Sequence, residues 1–564
     1  MKKFYTLRVS TLVACPLLVV AMHTFADAQG VPPPTFNVLT WQNDWGRTGM
    51  NLKEGTLASP LSGFGQLCHA DLDGQVYAQP LVVTNVRVTA NGSPKTYASV
   101  TYVVTQSGTL YAIDGAAPSG THGYLTNCNI VPNASNTLTG TSLLFGRYPA
   151  DCGKIGGQNC AAIKPNISIL GTPVINATVT QGQPTTGTLY VVVETQDTQT
   201  NPSNWQHWLY AVDISSFHVV SSVQVFPPSA NDPSTKSSFS RTHIQRPGLL
   251  YANGYIYIAF SLMDGSGNPG PNGAIFRYTA SSLTGTYGYF PTTPDASQAG
   301  GGVWQGAAGL AFWTNGTKNY LFFNTGNGGF SGDLTHPCTT ECADSFIKLD
   351  ADAMTVADSF TPFDHYYRSS TANGGCTPKN MSESGAGDID WGSGGVLLIP
   401  QNEFTTESQL AISGDKEGGI WLQNYASLGK HDTTCDASCT CTGTDHVVQT
   451  QWTGTQYAGN VIHTNPGYWE SGTGTNYVYV STQTTGSVKG NLYQYQLATA
   501  RPQSVQRPLL RQTRRALQSS TSGTAQPLPF RLTAHPRPMP LFGRSELTVA
   551  SKVRRRESST PSTP

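Results

Sequence analysis

Asp73 to Asp114 reads DGQVYAQPLVVTNVRVTANGSPKTYASVTYVVTQSGTLYAID. An apolar run follows Pro80 (Leu81–Val83), and after a polar turn comes a second, Tyr102–Thr105. A Ser-Gly turn then leads to Leu110-Tyr111-Ala112-Ile113-Asp114. Three short apolar runs joined by tight polar turns specify an antiparallel meander, because strands bury alternate residues and turns need Gly, Asn or Ser. Asp71-Leu72-Asp73-Gly74 copies the first positions of a calcium loop without its distal Glu, so we read it as a turn.

The same phrase recurs. Six segments open with a small or polar residue beside Gly or Pro and continue into an apolar strand: Tyr77–Pro80, Leu170–Pro173, Ile244–Pro247, Val303–Gly306, Trp391–Gly394 and Ile462–Pro466. A middle strand is expected after each, at Thr101–Thr105, Leu189–Thr195, Tyr255–Ser261, Tyr320–Thr325, Gln409–Ser413 and Tyr477–Ser481. Third strands are expected at Leu110–Asp114, Trp208–Asp213, Ala274–Tyr278, Ser345–Asp350, Gly419–Asn424 and Asn491–Leu497, with fourth strands such as His218–Val225 and Val356–Phe360 between units. Four antiparallel strands per repeat predict an all-β chain folded as a β-propeller of six recognisable blades, or a truncated seven- or eight-bladed ring. A missing blade would leave unpaired strand edges and promote association.

Composition agrees with an all-β exported protein. Only 12% of the 564 residues are charged, with 33 basic against 33 acidic, while 59 Gly and 36 Pro supply turns. Lys2, Lys3 and Arg8, an apolar segment through Leu17–Val20 and the small-x-small site Ala26-Asp27-Ala28 predict a signal peptide over residues 1–28 and a secreted or periplasmic chain. Leu12-Val13-Ala14-Cys15 offers a lipoprotein alternative. No later stretch reaches the roughly 20 apolar residues of a membrane span. Ten cysteines follow Cys15, an even number that favours disulfides over zinc at Cys338/Cys342/His336 or Cys435/Cys439/Cys441. Residues 29–63 form an irregular lead-in anchored by Trp41 and Trp45, and residues 64–500 the repeat region.

Six motifs together resemble the secreted, pyrroloquinoline-quinone-dehydrogenase-like β-propeller proteins of bacteria. They are Trp41–Asp44 with Arg47–Gly49, Asp73–Leu81, Gln245–Leu249, Thr325–Gly328, Gly392–Gly395 and Gly414–Gly418. The resemblance runs from about Trp41 to Leu497 and implies a quinoprotein alcohol dehydrogenase-like fold. The adjacent-cysteine pair of many quinoprotein alcohol dehydrogenases does not occur in this sequence.

In a propeller the six openings converge on the central channel. They would bring together Gln79, Thr172, Gln245, Arg246, Trp304, Gln305, Trp391 and Ser393 as ligand-binding groups, a ring of hydrogen-bonding side chains with aromatic faces. Asp390, His463 and His243 are the candidate catalytic groups, and Asp388 and Glu383 the candidate metal ligands. The reading that follows is a binding scaffold for a small molecule, glycan or protein. One alternative is a dehydrogenase oxidising an alcohol or sugar with pyrroloquinoline quinone and calcium, and another is a hydrolase or lyase at the channel mouth. The competing structural role for the ring is to bond blade edges and channel water.

From Arg501 to Pro564 the pattern stops: twelve Lys/Arg stand against two acids, whereas Gln29 to Ala500 has eighteen basic and thirty acidic residues. Such a segment is expected to be a disordered basic tail. Because proteins of the resembling group continue with one or two more blades, we read it as a frameshifted end rather than a nucleic-acid-binding arm. An intact reading frame across the codon for Ala500 would sink that idea.

Overall fold

The computed structural model describes residues 37–51, 68–90, 93–115, 127–131, 148–150, 166–197, 204–262, 273–294, 300–331, 335–363, 390–400, 409–435, 441–453, 461–470, 476–483, 490–497 and 510–516. The quoted stretch folds as the three-stranded antiparallel sheet Leu81–Ala90, Ser93–Val104 and Leu110–Asp114. Its first two strands are longer than the apolar runs suggested. Ala90 pairs with Ser93, so the strands meet across a two-residue Asn-Gly connection, the sequence most suited to a tight hairpin. Residues 129–131 stand in for a fourth strand: Asp114 N donates to Asn129 O and Val131 N to Ala112 O, both at 2.9 Å.

Five more large antiparallel sheets follow among the described residues, with a separate two-stranded sheet, Thr433–Cys435 and Cys441–Gly443, lying in chain order between strands of the fifth. The second contains Val174–Thr178, Thr186–Gln196, Trp205–Asp213 and Val219–Val225, with Tyr148–Pro149 at the end of Thr186–Gln196. The third has Leu250–Ala252, Tyr255–Leu262, Gly273–Thr279 and Gly288–Pro291, with His243–Ile244 pairing Tyr255–Leu262. The fourth has Ala311–Thr314, Asn319–Asn324, Phe346–Asp350 and Thr355–Phe360. In the fifth, Leu397–Leu398, Leu410–Gly414 and Gly419–Asn424 are joined by Gln449–Trp452. The sixth is Gly467–Glu470, Asn476–Ser481, Leu492–Leu497 and Leu510–Ala516. Nearly all-β content in successive four-stranded antiparallel sheets is consistent with a propeller.

Successive sheets share apolar cores. Leu81, Val83 and Tyr102 of the first pack with Leu189, Val191 and Val193 of the second. Phe260 and Phe276 pack with Val192 and Leu209, Phe323 with Tyr257, Trp391 and Trp421 with Phe322 and Phe346, and Tyr495 with Ile412. A fully buried Val, Leu or Phe contributes about 1.5–3 kcal/mol, against about 0.2–1 kcal/mol for an exposed ion pair. These cores therefore outweigh surface pairs such as Lys95–Asp114 in holding the sheets together.

The lead-in is the common core of the six large sheets. Val38 exchanges backbone bonds with Val82 at 2.8 and 2.9 Å, and Ile175 N donates to Leu39 O at 2.8 Å. Trp45 Nε1 donates to Tyr251 O, and Phe312 N to Trp45 O, each at 2.9 Å. Leu398 N donates to Gly46 O and Tyr468 N to Thr48 O, each at 2.8 Å. Residues 38–48 thus bond in turn one strand of each of the six large sheets, and Gln42 links the sixth sheet to the first through Pro466 O, Asn465 and Gln79.

Two features differ from the sequence expectation. A helix, α1 (Pro233–Thr242), precedes the third sheet; Asp232 caps it, accepting from Ser234 N and Thr235 N, and Pro233 stands at its first turn. In the basic tail, Leu510–Ala516 pairs with Leu492–Leu497 as the outer strand of the sixth sheet, so a charged composition did not prevent edge pairing, which uses only backbone groups. A chain ended at Ala500 is expected to bare that edge and to associate in a concentration-dependent way by light scattering. A monodisperse, equally stable shortened chain would contradict this placement.

Among the described residues two cysteine pairs lie at disulfide distance, Cys68–Cys128 and Cys338–Cys342, which fits an oxidising environment. The second pair uses both cysteines of the imagined zinc cluster with His336. Among the described residues no helix is long and apolar enough to cross a membrane.

Candidate functional site

Side chains and backbone of adjacent openings contact one another, and they fall into two groups with different chemistry, a lower and an upper layer. The lower layer is the one bonded to the lead-in. Gln79 Oε1 accepts from Gln42 N at 3.0 Å and its Nε2 donates to Thr40 O at 3.3 Å, while Thr172 Oγ1 accepts from Gln79 N at 3.0 Å. Gln245 Nε2 donates to Pro247 O at 2.5 Å. Gln305 donates to Ala308 O and Gly309 O, each at 3.2 Å, and accepts from Asn324 N at 3.3 Å. Ser393 Oγ reaches Asp390 O and Ile462 O, both at 3.4 Å. These five side chains, expected to face a ligand, instead bond backbone groups of the lead-in, of their own openings and of adjacent openings.

The turn Gln305-Gly306-Ala307 sets this layer. All three residues have positive φ, of 39°, 49° and 73°. A Cβ on Gly306 would stand 2.6 Å from His463 O and 3.1 Å from Ser393 O. The fourth sheet's opening therefore lies against the fifth and sixth, and only glycine fits at its apex.

The upper layer is the candidate site. Trp304, half-buried, carries the Arg246 guanidinium 5.9 Å from its ring centroid, a cation–π geometry. Asp390 Oδ1 accepts from Asn327 N at 2.8 Å, and Oδ2 accepts from Lys416 Nζ at 2.6 Å. Gly326 sits between Asp390 and Trp304; a Cβ there would lie 2.3 Å from Asp390 Oδ1 and 3.1 Å from Trp304 Cδ1. His463 completes the group. Burial first, then the positive charges of Lys416 and Arg246, lower its pKa to about 4 against the opposing pull of Asp390. At neutral pH it is an uncharged imidazole beside an ion pair and a second cation. Tyr77, 38% exposed, lies within electrostatic reach of Arg246, and its hydroxyl donates to Gln75 Oε1 at 2.6 Å.

Arg246, Trp304, Asp390 and His463 are thus brought together from four sheet openings, whereas other candidates are not. His243 ends α1: its ring stacks on Phe239 at 4.2 Å and Nδ1 lies 3.0 Å from Phe239 O, so it is buried structure rather than a catalytic base at the site. Trp391 is core rather than a stacking face. Its Nε1 donates to Ser413 Oγ at 3.0 Å, and its ring packs 5.2 Å from Trp421 and 5.4 Å from Phe360. Asp388 and Glu383 lie outside the described residues.

Lys416, Asn327 and Tyr77 were missed as site residues. Lys416 and Asn327 lie in connections between second and third strands. Antiparallel order returns those connections to the end where each sheet opens, and that was the available signal. The Asp73 turn is structural: its carboxylate accepts from Thr105 Oγ1 at 2.7 Å and from Thr109 Oγ1.

No family model matches the chain, and no curated protein matches it. Among solved structures, a quinohemoprotein alcohol dehydrogenase from Comamonas testosteroni aligns with a TM-score of 0.42 and 13% identity, covering 81% of this chain. The chain spans 58% of that protein's length. A GH43_1 enzyme from Xanthomonas citri aligns with a TM-score of 0.21 and 12% identity over 56% of this chain and 83% of its own. Likenesses this distant carry no argument about activity.

Proposed function

We propose that the chain is an exported, six-bladed propeller acting as a binding protein, with a small polar ligand seated on the upper layer. The observation that supports this is the meeting of Arg246, Trp304, the Asp390–Lys416 pair and neutral His463, drawn from four different sheet openings into the upper layer. An indole face with two cations, one carboxylate and an uncharged imidazole suits a ligand with one anionic group and several hydroxyls, such as a sugar acid.

The donor set argues against calcium-bound pyrroloquinoline quinone here. Calcium takes about six to eight oxygen ligands. Asp390 already spends both carboxylate oxygens on Asn327 N and Lys416, and among the described residues no group of three or more His, Cys, Asp or Glu could hold a metal ion. The described residues do not fit that cofactor. One observation favours oxidation of an alcohol as a second reading: neutral His463 is a potential proton acceptor.

The test is calorimetric titration and thermal shift of the full mature chain with glucuronate, glucose, and pyrroloquinoline quinone plus calcium, alongside dye-linked oxidation. Saturable binding of glucuronate, weakened at least tenfold in Arg246→Ala as expected for loss of a charge-assisted bond worth about 1.5–3 kcal/mol, is the expected result. No saturation by glucuronate, or equal affinity in Arg246→Ala, would overturn it. Turnover with the quinone would replace it by the oxidation reading.

A further inference from the structure

Away from this site, the second sheet buries two ionisable side chains against each other. Glu194 and His207 are paired on adjacent strands, 2% and 0% exposed, with Glu194 Oε2 3.4 Å from His207 Nε2. Glu194 Oε1 and both ring nitrogens of His207 have no hydrogen-bond partner, so the 3.4 Å approach is a close contact without a hydrogen bond. The imidazole is boxed edge-on by Phe260 of the third sheet at 5.0 Å and Phe239 of α1 at 6.2 Å. The same strand holds the helix: His207 N donates to Ser240 Oγ at 3.1 Å and Trp205 N to Ser237 Oγ at 2.9 Å. From α1 the chain runs through His243–Ile244 straight to Gln245 and Arg246.

Among the described residues no third charge acts on the pair, burial being the sole cause of both pKa shifts. On α1, Arg241 is exposed, Lys236 lies over the Phe226 ring at 3.9 Å, and His243 is turned onto Phe239. The third sheet presents Phe260, the outer strand pairs Val225 with His207, and the preceding loop offers only Ser168 O to Glu194 N.

We propose that the buried Glu194 and His207 together carry one titratable proton, on the Glu194 carboxyl, forming a proton-linked lock that seats α1 on the second and third sheets and so governs how firmly Arg246 is delivered. Burial without water makes two charges, or one unbalanced charge, costly, so the neutral acid–imidazole pair is the closed state. Burial accordingly pushes the Glu194 carboxyl well above its ordinary 4.5 and His207 down from 6.5 to about 3.

Opened and hydrated, the same two groups hold two protons below pH 4.5, one between 4.5 and 6.5, and none above 6.5. Closed, they hold one. Glu194, with its raised pKa, favours closure most fully below 4.5 and loses that contribution as pH rises. His207, with its lowered pKa, favours closure above 6.5 and loses it as pH falls towards 3. The seat is therefore firmest between 4.5 and 6.5, and above 6.5 the opening constant rises by up to about tenfold per pH unit, one proton being released.

Amide hydrogen exchange of residues 205–213 and 233–242 in the full mature chain, corrected for intrinsic rates across pH 5 to 8, tests this without any ligand; failure of the ligand reading would leave it untouched. The wild type is expected to show opening constants that climb with pH above 6.5. In Glu194→Gln the climb is expected to vanish, because His207 is then neutral in both states. A wild-type profile flat above 6.5, which needs no variant, would overturn the proposal, as would an unchanged slope in Glu194→Gln.

Discussion

Arg47→Met is expected to lower the free energy of unfolding by about 3–5 kcal/mol, the range for breaking a buried charge network by removing one partner. Arg47 is fully buried. Its Nε donates to Leu310 O at 2.8 Å, and Nη1 to Thr40 Oγ1 at 2.7 Å and Trp41 O at 2.9 Å. Burial lowers its pKa only to about 10, so it stays charged at neutral pH, and its charge opposes the burial that pushes the Asp44 carboxyl upward. Methionine fills the volume but leaves four acceptors, Leu310 O, Thr40 Oγ1, Trp41 O and Asp44 O, without their donor. Because residues 38–48 bond one strand of each of the six large sheets, the loss should appear as a shift of the whole urea transition. A change below about 1 kcal/mol would mean that the lead-in is peripheral.

Trp391→Ala is expected to cost a similar amount, about 3–5 kcal/mol, as for other buried tryptophan truncations. Its ring has no exposed surface and packs among Phe346, Phe360 and Trp421, and its backbone N donates to Asp344 Oδ1 at 3.1 Å. The matched experiment is Trp304→Ala. That residue is half-buried at the site, so its removal should abolish glucuronate binding while costing less stability. The reverse pattern, with Trp391 governing binding and Trp304 governing stability, would return the stacking role to Trp391.

The strands were legible because each has a period-2 pattern that burial enforces: Val478 and Val480 are buried while Tyr477 and Tyr479 are half-exposed. Even short elements such as Gly419–Asn424 follow from local sequence. The lead-in was legible only as irregular, since its partners are backbone groups of six remote strands, and no side-chain pattern encodes those. The site split for a related reason. Gln79, Thr172, Gln245, Gln305 and Ser393 share with Arg246 the position at a sheet opening; which of them joins the lower layer and which the upper depends on one left-handed turn at Gln305–Ala307 and on the close approaches allowed at Gly326 and Gly306. The helix had a readable signal, Asp232-Pro233 followed by Thr235, which the surrounding strand repeats obscured. The strand Leu510–Ala516 had none, because its partner is an edge rather than a core.

The ligand reading is tested most directly by soaking crystals of the full mature chain with glucuronate and locating the bound molecule. Our account predicts density on the Trp304 face, with the carboxylate within hydrogen-bond distance of Arg246 or Lys416 and the hydroxyls near Asp390 and His463. Density at another place on the surface, or an empty upper layer at concentrations that saturate the calorimetric titration, would contradict it.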